Sequence, residues 1–232
     1  MLHPFPTTAV ILLAGGVGSR MGSSMPKQYL PLRGKPVALW SFEVFCQLPI
    51  QELVVVCREE YRPLFLEAAI NSTCRLHFAE PGEQRQDSVF NGLQKISKEI
   101  ELVCVHDAAR PLITKKIVEN VLLHAHKAGA AAAGMPLKFT IKETAADGTI
   151  LNTPDRSRFW EVQTPQAVRI ELLKKGFAKA KELNAAVTDD LSLVELLQIP
   201  AKMVSGSYAN LKITTPEDLH IAELLLPQKI VL

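Results

Sequence analysis

Leu12-Leu13-Ala14-Gly15-Gly16-Val17-Gly18-Ser19-Arg20-Met21-Gly22, followed by Pro26-Lys27-Gln28, is the stretch on which the reading of this chain turns. It continues a short apolar run, Ala9–Leu13, that reads as a buried strand. A strand opening into glycines is how α/β proteins bring backbone close to a phosphate chain. Lacking a Cβ, Gly15, Gly16 and Gly18 can adopt positive φ and leave room for a ligand. Successive bare N–H groups in such a loop form an anion-binding concavity. Arg20 and Lys27 bring two cations to the same loop, so a polyphosphate is the expected occupant. Two familiar phosphate loops are excluded. The Walker pattern needs Gly-Lys-Ser/Thr after four spacer residues, and the dinucleotide pattern needs a third glycine where this chain has Met21. A plain glycine-rich turn is the remaining alternative.

The 232 residues suffice for one sizeable α/β domain or two small ones, and 47% hydrophobic content supplies a normal core. A net charge of +2 argues against a nucleic-acid surface, so any basic site must be local. The four cysteines, Cys46, Cys57, Cys74 and Cys104, lack metal-ligand spacing. Cys57 and Cys104 lie in apolar runs and read as buried, reduced thiols, as expected of a cytoplasmic protein. No apolar run reaches membrane length, and the N-terminal run leads into the glycine loop without the basic flank of a signal peptide.

Short apolar runs alternate with helical patterns. Strands are expected at Ala9–Leu13, Leu53–Cys57, Arg75–Phe78, Leu102–His106 and Ala130–Met135. Helices are expected between them at Val37–Cys46, Arg62–Ile70, Asp87–Ile96 and Thr114–Lys127. This order argues for an α/β fold with a mostly parallel sheet and helices on both faces. Ligands in such folds sit beyond the carboxyl ends of the strands. The alternation stops at Pro136, after which two strand-like runs flank Ala146-Asp147-Gly148, an Asp-Gly hairpin turn. Such a hairpin buries little by itself, so residues 137–158 read as an arm stabilised against a second subunit. A returning strand at Phe159–Gln163, helices at Glu171–Asn184 and Asp189–Leu197, and a strand at Ala201–Ser205 follow. Thr215-Pro216-Glu217-Asp218 opens a last helix, with Thr as N-cap and Pro at the first helical position. With no repeat or linker in view, residues 1–232 form one domain with an arm.

Three further segments carry chemistry. Asp107 follows a buried strand in His106-Asp107-Ala108-Ala109-Arg110-Pro111. A carboxylate there can hold Mg2+ against a triphosphate; the alternatives are a helix N-cap or a partner for Arg110. His106, among apolar neighbours, reads as structural. Gly82-Glu83-Gln84-Arg85-Gln86-Asp87-Ser88 joins a strand to a helix and on spacing alone is an ordinary loop. Asn210-Leu211-Lys212-Ile213 supplies a third cation, with Asn210 and Lys212 on one face of an extended segment; a solvated surface lysine is the usual case.

The glycine stretch with its Pro-Lys-Gln resembles the signature of nucleotidyltransferases that activate small phosphates and sugars. The four segments together, with Gln163-Thr164-Pro165-Gln166 and Thr188-Asp189-Asp190 in the same order, resemble the 2-C-methyl-D-erythritol 4-phosphate cytidylyltransferases of the non-mevalonate isoprenoid pathway. The likeness runs from Ala9 to about Leu225. It implies a three-layer αβα, Rossmann-like nucleotidyltransferase fold and a homodimer with a swapped β-arm. It also implies reaction of CTP with methylerythritol phosphate, assisted by Mg2+. By position, Ala14, Gly15, Gly16, Gly18, Gly82, Glu83 and Ser88 would hold the nucleotide, with Asp107 beside the ribose and metal. Arg20, Lys27 and Lys212 would grip the phosphates as catalytic groups. Arg110, Thr164 and Thr188 would form the acceptor pocket, with Thr140 and Arg156 reaching in from the partner's arm. Two positions depart from the family's habit. Phe139 stands where relatives usually carry Asp, and Ala209 replaces an acidic residue before the Asn-x-Lys. Rival readings are a ribitol-5-phosphate cytidylyltransferase, a non-catalytic nucleotide sensor and, poorly, a dehydrogenase. Neither nucleic acid nor membrane is an expected partner.

Overall fold

The computed structural model describes residues 6–16, 25–70 and 72–226. Gly18 and Arg20 lie outside this set. In chain order the elements begin with β1 (Thr8–Leu13), a small hairpin of β2 (Pro31–Leu32) and β3 (Lys35–Pro36), and α1 (Val37–Cys46). Next come β4 (Glu52–Val56), α2 (Arg62–Ala68), β5 (Arg75–Ala79), α3 (Arg85–Leu93) and β6 (Leu102–Asp107). Then follow α4 (Lys115–Ala128), β7 (Ala130–Pro136), and the arm strands β8 (Glu143–Thr144) and β9 (Ile150–Asn152). The chain closes with β10 (Trp160–Arg169), α5 (Ile170–Leu183), α6 (Asp190–Glu195), β11 (Lys202–Ser205) and α7 (Pro216–Leu225).

Seven strands form one sheet in the order β11-β7-β10-β6-β1-β4-β5. All pairs are parallel except those of β10, which runs antiparallel to both β6 and β7. The central strands read as continuous apolar runs because both faces are covered. Val10 and Leu12 of β1 pack toward Phe42, Phe45, Phe65 and Val121, whereas Ala9 and Ile11 pack toward Val89, Leu93, Leu173 and Leu193. On the second face α3 comes close: a Cβ on Gly92 would lie 2.8 Å from Ile11 Cγ2.

The returning strand differs from the sequence expectation, extending to Arg169 rather than stopping at Gln163. Pro165 reads as an end because it cannot donate to a ladder. Instead the register shifts between Val162 and Gln166, and the strand resumes pairing with β6 at Gln166–Arg169. Helix α3 starts two residues earlier than expected. Asp87 is its third residue and accepts from the Gln84 N–H at 2.9 Å, so the acid closes a capping box. Thr215 caps α7 as anticipated. The arm carries two short strands around a turn in which Gly148 takes φ +86°. Phe139, Ile150 and Leu151 on it are 76%, 60% and 60% exposed.

Candidate active site

The carboxyl ends of β1, β4, β5 and β6 lie side by side, and the segments leaving them wall a cleft of about 540 Å3. Gly15 and Gly16 come from β1, Arg58 from β4, Glu80 to Gln84 from β5, and Asp107 and Ala109 from β6. Lys27, Arg85, Ser88 and Lys212 complete the walls.

The glycines are needed for contact rather than for dihedral freedom. Contrary to the sequence expectation, neither Gly15 nor Gly16 takes positive φ; among the described glycines only Gly34, Gly129 and Gly148 do. A Cβ on Gly15 would lie 2.4 Å from Pro81 Cγ, and one on Gly82 2.2 Å from Asp87 Cβ. Gly15 lets the loop after β1 close on the loop after β5, and Gly82 lets that second loop fold against the first turn of α3. Among the described residues nothing lies within 4 Å of a Cβ on Gly16, which lines the cleft. Ser88 Oγ accepts the Gly82 N–H at 3.0 Å and fixes that wall.

Lys27 begins a 3-10 turn, Lys27–Tyr29, tied to the glycine loop from below. Gln28 Nε2 donates to the carbonyls of Ala14 and Gly16 at 2.7 and 2.8 Å, and Tyr29 Oη donates to Ala14 O at 2.7 Å. Burial raises the Tyr29 pKa, so the phenol stays a donor. Its ring stacks on Tyr61 at 3.6 Å. Pro-Lys-Gln-Tyr thus holds Lys27 in register with Gly15 and Gly16.

Asp107 ends β6 with a buried carboxylate. Oδ1 accepts from Arg85 Nε at 3.2 Å and Oδ2 from Lys212 Nζ at 2.7 Å. Burial alone would raise its pKa, but Arg85 and Lys212 outweigh it and hold the carboxyl well below the usual range. Of the alternatives left open by the sequence, pairing with Arg110 is not what forms: Arg110 Nη1 donates to Asn210 O at 2.8 Å. The Arg110 Nε is buried without a partner. Asn210 is itself fully buried, its amide donating to Gln163 Oε1 and Thr164 O at 3.1 and 2.9 Å. With Ile213 N bonded to Ala109 O at 2.8 Å, this anchors the segment that presents Lys212.

His106 is structural, as expected. Its Nε2 faces the Arg110 carbonyl at 3.2 Å, which requires the proton there. Nδ1 therefore accepts from Thr164 Oγ1 at 3.1 Å, and that oxygen accepts the Asp107 N–H at 3.1 Å. Burial pushes the His106 pKa down to about 4, so the ring is neutral near pH 7. Thr164, assigned by resemblance to the acceptor pocket, is 4% exposed and spends its hydroxyl inward, supporting Asp107.

Of the remaining positions, Glu83 lines the cleft, while Ala14 is buried beneath it. Thr188 is exposed immediately before Asp189, the N-cap of α6. Thr140 and Arg156 are exposed on the arm and do not line the chain's own cleft; Arg156 Nη1 donates to Lys138 O at 2.6 Å. Sequence reasoning gave no role to Arg85, whose fork grips Asp190 at 3.0 and 2.8 Å. Its partners lie 22 and 105 residues away, and no local pattern announces them. Among the described residues no group of three or more His, Cys, Asp or Glu could hold a metal. Asp107 is one of three carboxylates that line the cleft, with Glu80 and Glu83, and both its oxygens accept from cations; Mg2+ commonly takes one protein carboxylate and completes its shell with phosphates and water.

A family model described as IspD, 2-C-methyl-D-erythritol 4-phosphate cytidylyltransferase, matches residues 8–228. The chain belongs to this family. It is 50% identical over 224 residues to the chloroplastic 2-C-methyl-D-erythritol 4-phosphate cytidylyltransferase of Oryza sativa subsp. japonica, covering 96% of this chain and 75% of the relative. The family enzyme of Caldanaerobacter subterraneus subsp. tengcongensis is 41% identical over 225 residues, covering 94% and 98%. The crystal structure of 4-diphosphocytidyl-2C-methyl-D-erythritol synthase from Anaerococcus prevotii DSM 20548 superposes with TM-score 0.83 at 26% identity, covering 94% and 97%. The cytidylyltransferase structure from Thermus thermophilus gives 0.76 at 30%, covering 95% and 98%. The family fold is thus the Rossmann-like α/β sheet described above.

Proposed function

We infer that this chain transfers a cytidylyl group from CTP to 2-C-methyl-D-erythritol 4-phosphate, giving 4-diphosphocytidyl-2-C-methyl-D-erythritol and pyrophosphate in the non-mevalonate isoprenoid pathway. The observation that carries this reading is one cleft, in a chain of this family, that gathers Gly15, Gly16, Lys27, Gly82, Ser88, Asp107 and Lys212. The acceptor phosphate is largely dianionic near neutral pH, since the second pKa of a phosphate monoester is about 6. One of its oxygens bonds to the α-phosphorus of CTP as the bond to the β-phosphate oxygen breaks, and pyrophosphate leaves. No general base is required, which suits a site whose His106 is buried and fully engaged. The chemical demand is to bring two anions together and stabilise a crowded, charged transition state. Lys27 and Lys212 meet that demand, and Arg20 belongs to the same reading. Gly15, Gly16, Gly18, Gly82, Glu83 and Ser88 hold the nucleotide; Arg110 and Thr188 shape the acceptor side, and Thr164 supports it from beneath through Asp107.

Asp107 would hold Mg2+, which when bound neutralises charge on the triphosphate. Exposed apolar side chains on the arm support a homodimer in which Thr140 and Arg156 serve the neighbouring cleft. Four free thiols and described helices too short and polar to cross a membrane are compatible with the cytoplasmic location of this reading. The test is pyrophosphate release from CTP with either methylerythritol phosphate or ribitol 5-phosphate as acceptor. The reading expects kcat/KM to favour methylerythritol phosphate. Faster turnover of ribitol phosphate, or no turnover of either, overturns it.

A further inference from the structure

We propose that Arg85 is a positioning residue that locks the nucleotide side of the cleft to the segment carrying Thr188. It stands in the first turn of α3, and its guanidinium meets three carboxylate oxygens on two other elements. Nε donates to Asp107 Oδ1 at 3.2 Å; Nη1 and Nη2 donate to Asp190 Oδ1 and Oδ2 at 3.0 and 2.8 Å. A planar fork with five fixed donors can span two carboxylates in this way, whereas an ammonium is a point charge. Burial opposes the charge of Arg85, but Asp190 and Asp107 outweigh it and keep the guanidinium protonated.

Each partner leads to a different wall of the site. Asp107 carries Lys212 on its other oxygen at 2.7 Å. Asp190, 2% exposed, opens α6, whose first N–H groups at Asp190 and Leu191 donate to Gln166 Oε1 at 2.8 and 3.2 Å. Gln166 Nε2 in turn donates to Asp189 Oδ2 at 3.1 Å. Thr188 directly precedes this clamp. One side chain therefore sets Lys212 through Asp107, and the approach to α6 through Asp190. Without Arg85, Asp107 is balanced by Lys212 among its hydrogen-bonded cations, so the ammonium is held more tightly on the carboxylate and withheld from a phosphate. Asp190 is then a buried acid without its fork.

The inference rests on the cytidylyltransferase reading, and its test separates the two. Wild type, Arg85→Lys and the paired Arg85→Met/Asp190→Leu are compared by Tm, kcat and KM for both substrates. Replacing both members of a buried ion pair by apolar groups restores packing without restoring charge. The expected result is that Arg85→Lys lowers kcat about 10–100-fold, as expected for a misplaced charge-assisted contact, with KM for CTP changed less than about 3-fold. The paired variant regains a Tm near wild type while kcat stays low. An Arg85→Lys enzyme with wild-type kcat, or a paired variant that recovers kcat along with Tm, overturns the proposal. Wild type that releases no pyrophosphate defeats the cytidylyltransferase reading instead. Amide exchange then decides on Arg85: in Arg85→Lys it must quicken at both 107–110 and 188–192, and a change at one segment alone or at neither refutes the lock.

Discussion

Gly15→Ala tests whether the two loops that wall the cleft owe their spacing to a missing Cβ. The added methyl would sit 2.4 and 2.5 Å from Pro81 Cγ and Cβ, inside any real carbon–carbon contact. Pro81 is a rigid ring next to Gly82, and Gly82 is itself so close to Asp87 that a Cβ there would lie 2.2 Å away, so neither neighbour yields by a rotamer change. Relief requires the loop after β5 to retreat by about 1 Å, the distance that restores ordinary van der Waals separation. Overpacking of this kind costs about 1–3 kcal/mol. For a domain of this size that lowers Tm by roughly 2–12 °C. The same retreat misplaces Glu83 and Ser88 relative to Lys27, and a 1 Å error in positioning can cost about 10²-fold in rate. Gly16→Ala is the internal control. Its methyl meets no described residue within 4 Å, so Tm should move by less than about 2 °C, while KM for CTP rises because the methyl occupies ligand space. Thermal melts and steady-state kinetics on both variants check this. Gly15→Ala with native Tm and native kcat would refute the argument, as would a Gly16→Ala protein destabilised as much as Gly15→Ala.

Lys27→Ala should lower kcat by roughly 10²–10³-fold, the loss seen when one preorganised donor to developing charge is removed. A variant changed only in KM would show that Lys27 binds the ground state instead. Mixing an Arg156→Ala protein with a Lys27→Ala protein should restore activity. If arms are exchanged, each hybrid dimer regains one intact site, giving about a quarter of wild-type turnover from statistical mixing; confirmed hybrids without activity would rule out arm exchange. Asp218 predicts a pH effect. Burial works against its charge, yet hydrogen bonds from Thr214 and Thr215 prevail and hold its carboxyl below the usual value. A depressed native pKa contributes stability above the unfolded value of about 3.9 that disappears as pH falls. Asp218→Asn should therefore be less stable than wild type to urea at pH 7, with the gap narrowing at pH 3. A gap of equal size at both pH values would count against the cap.

Much of the fold was legible because its strands are buried on both faces. Runs such as Val-Ile-Leu-Leu in β1 and Val-Val-Val in β4 have no other use in a chain of this composition. The glycine stretch and Asp107 were legible for a different reason: each lies at or just past a strand end, and their residue types suit phosphate. Lys212 in isolation reads as a surface lysine and takes a role only through the family resemblance. What stayed hidden depends on contacts across long sequence separations. The antiparallel entry of β10 was obscured by Pro165, which in isolation argues for a strand end. The role of Gly15 was misread, since its glycine is demanded by Pro81, 66 positions away, and not by its own φ. Arg85 looked like one polar residue in a polar loop because Asp190, which defines it, belongs to another helix.

The charge arrangement of the free cleft has a consequence for how a triphosphate would enter. Two of its three acids are already occupied: Asp107 by Arg85 and Lys212, and Glu80 by Arg62, while Glu83 stands exposed on the wall. A polyanion arriving here finds Lys27 held in place by the turn beneath it. Lys212 is different, since it can serve the phosphates only by loosening its contact with Asp107. That exchange is favourable to the degree that Asp107 is satisfied by something else. Arg85 supplies the something else on Oδ1, so Asp107 stays ionised and buried while its second oxygen is free to give up the ammonium. A site with Asp107 and Lys212 alone would form a tight pair and withhold the ammonium as charge builds on the phosphates. A site with Lys212 unpaired would leave an acid buried beside nothing but Arg85. Sharing one carboxylate between a fixed guanidinium and a movable ammonium leaves the cluster of Arg85, Lys212, Asp107 and Asp190 balanced and still leaves one cation that can be recruited as charge builds on the phosphates.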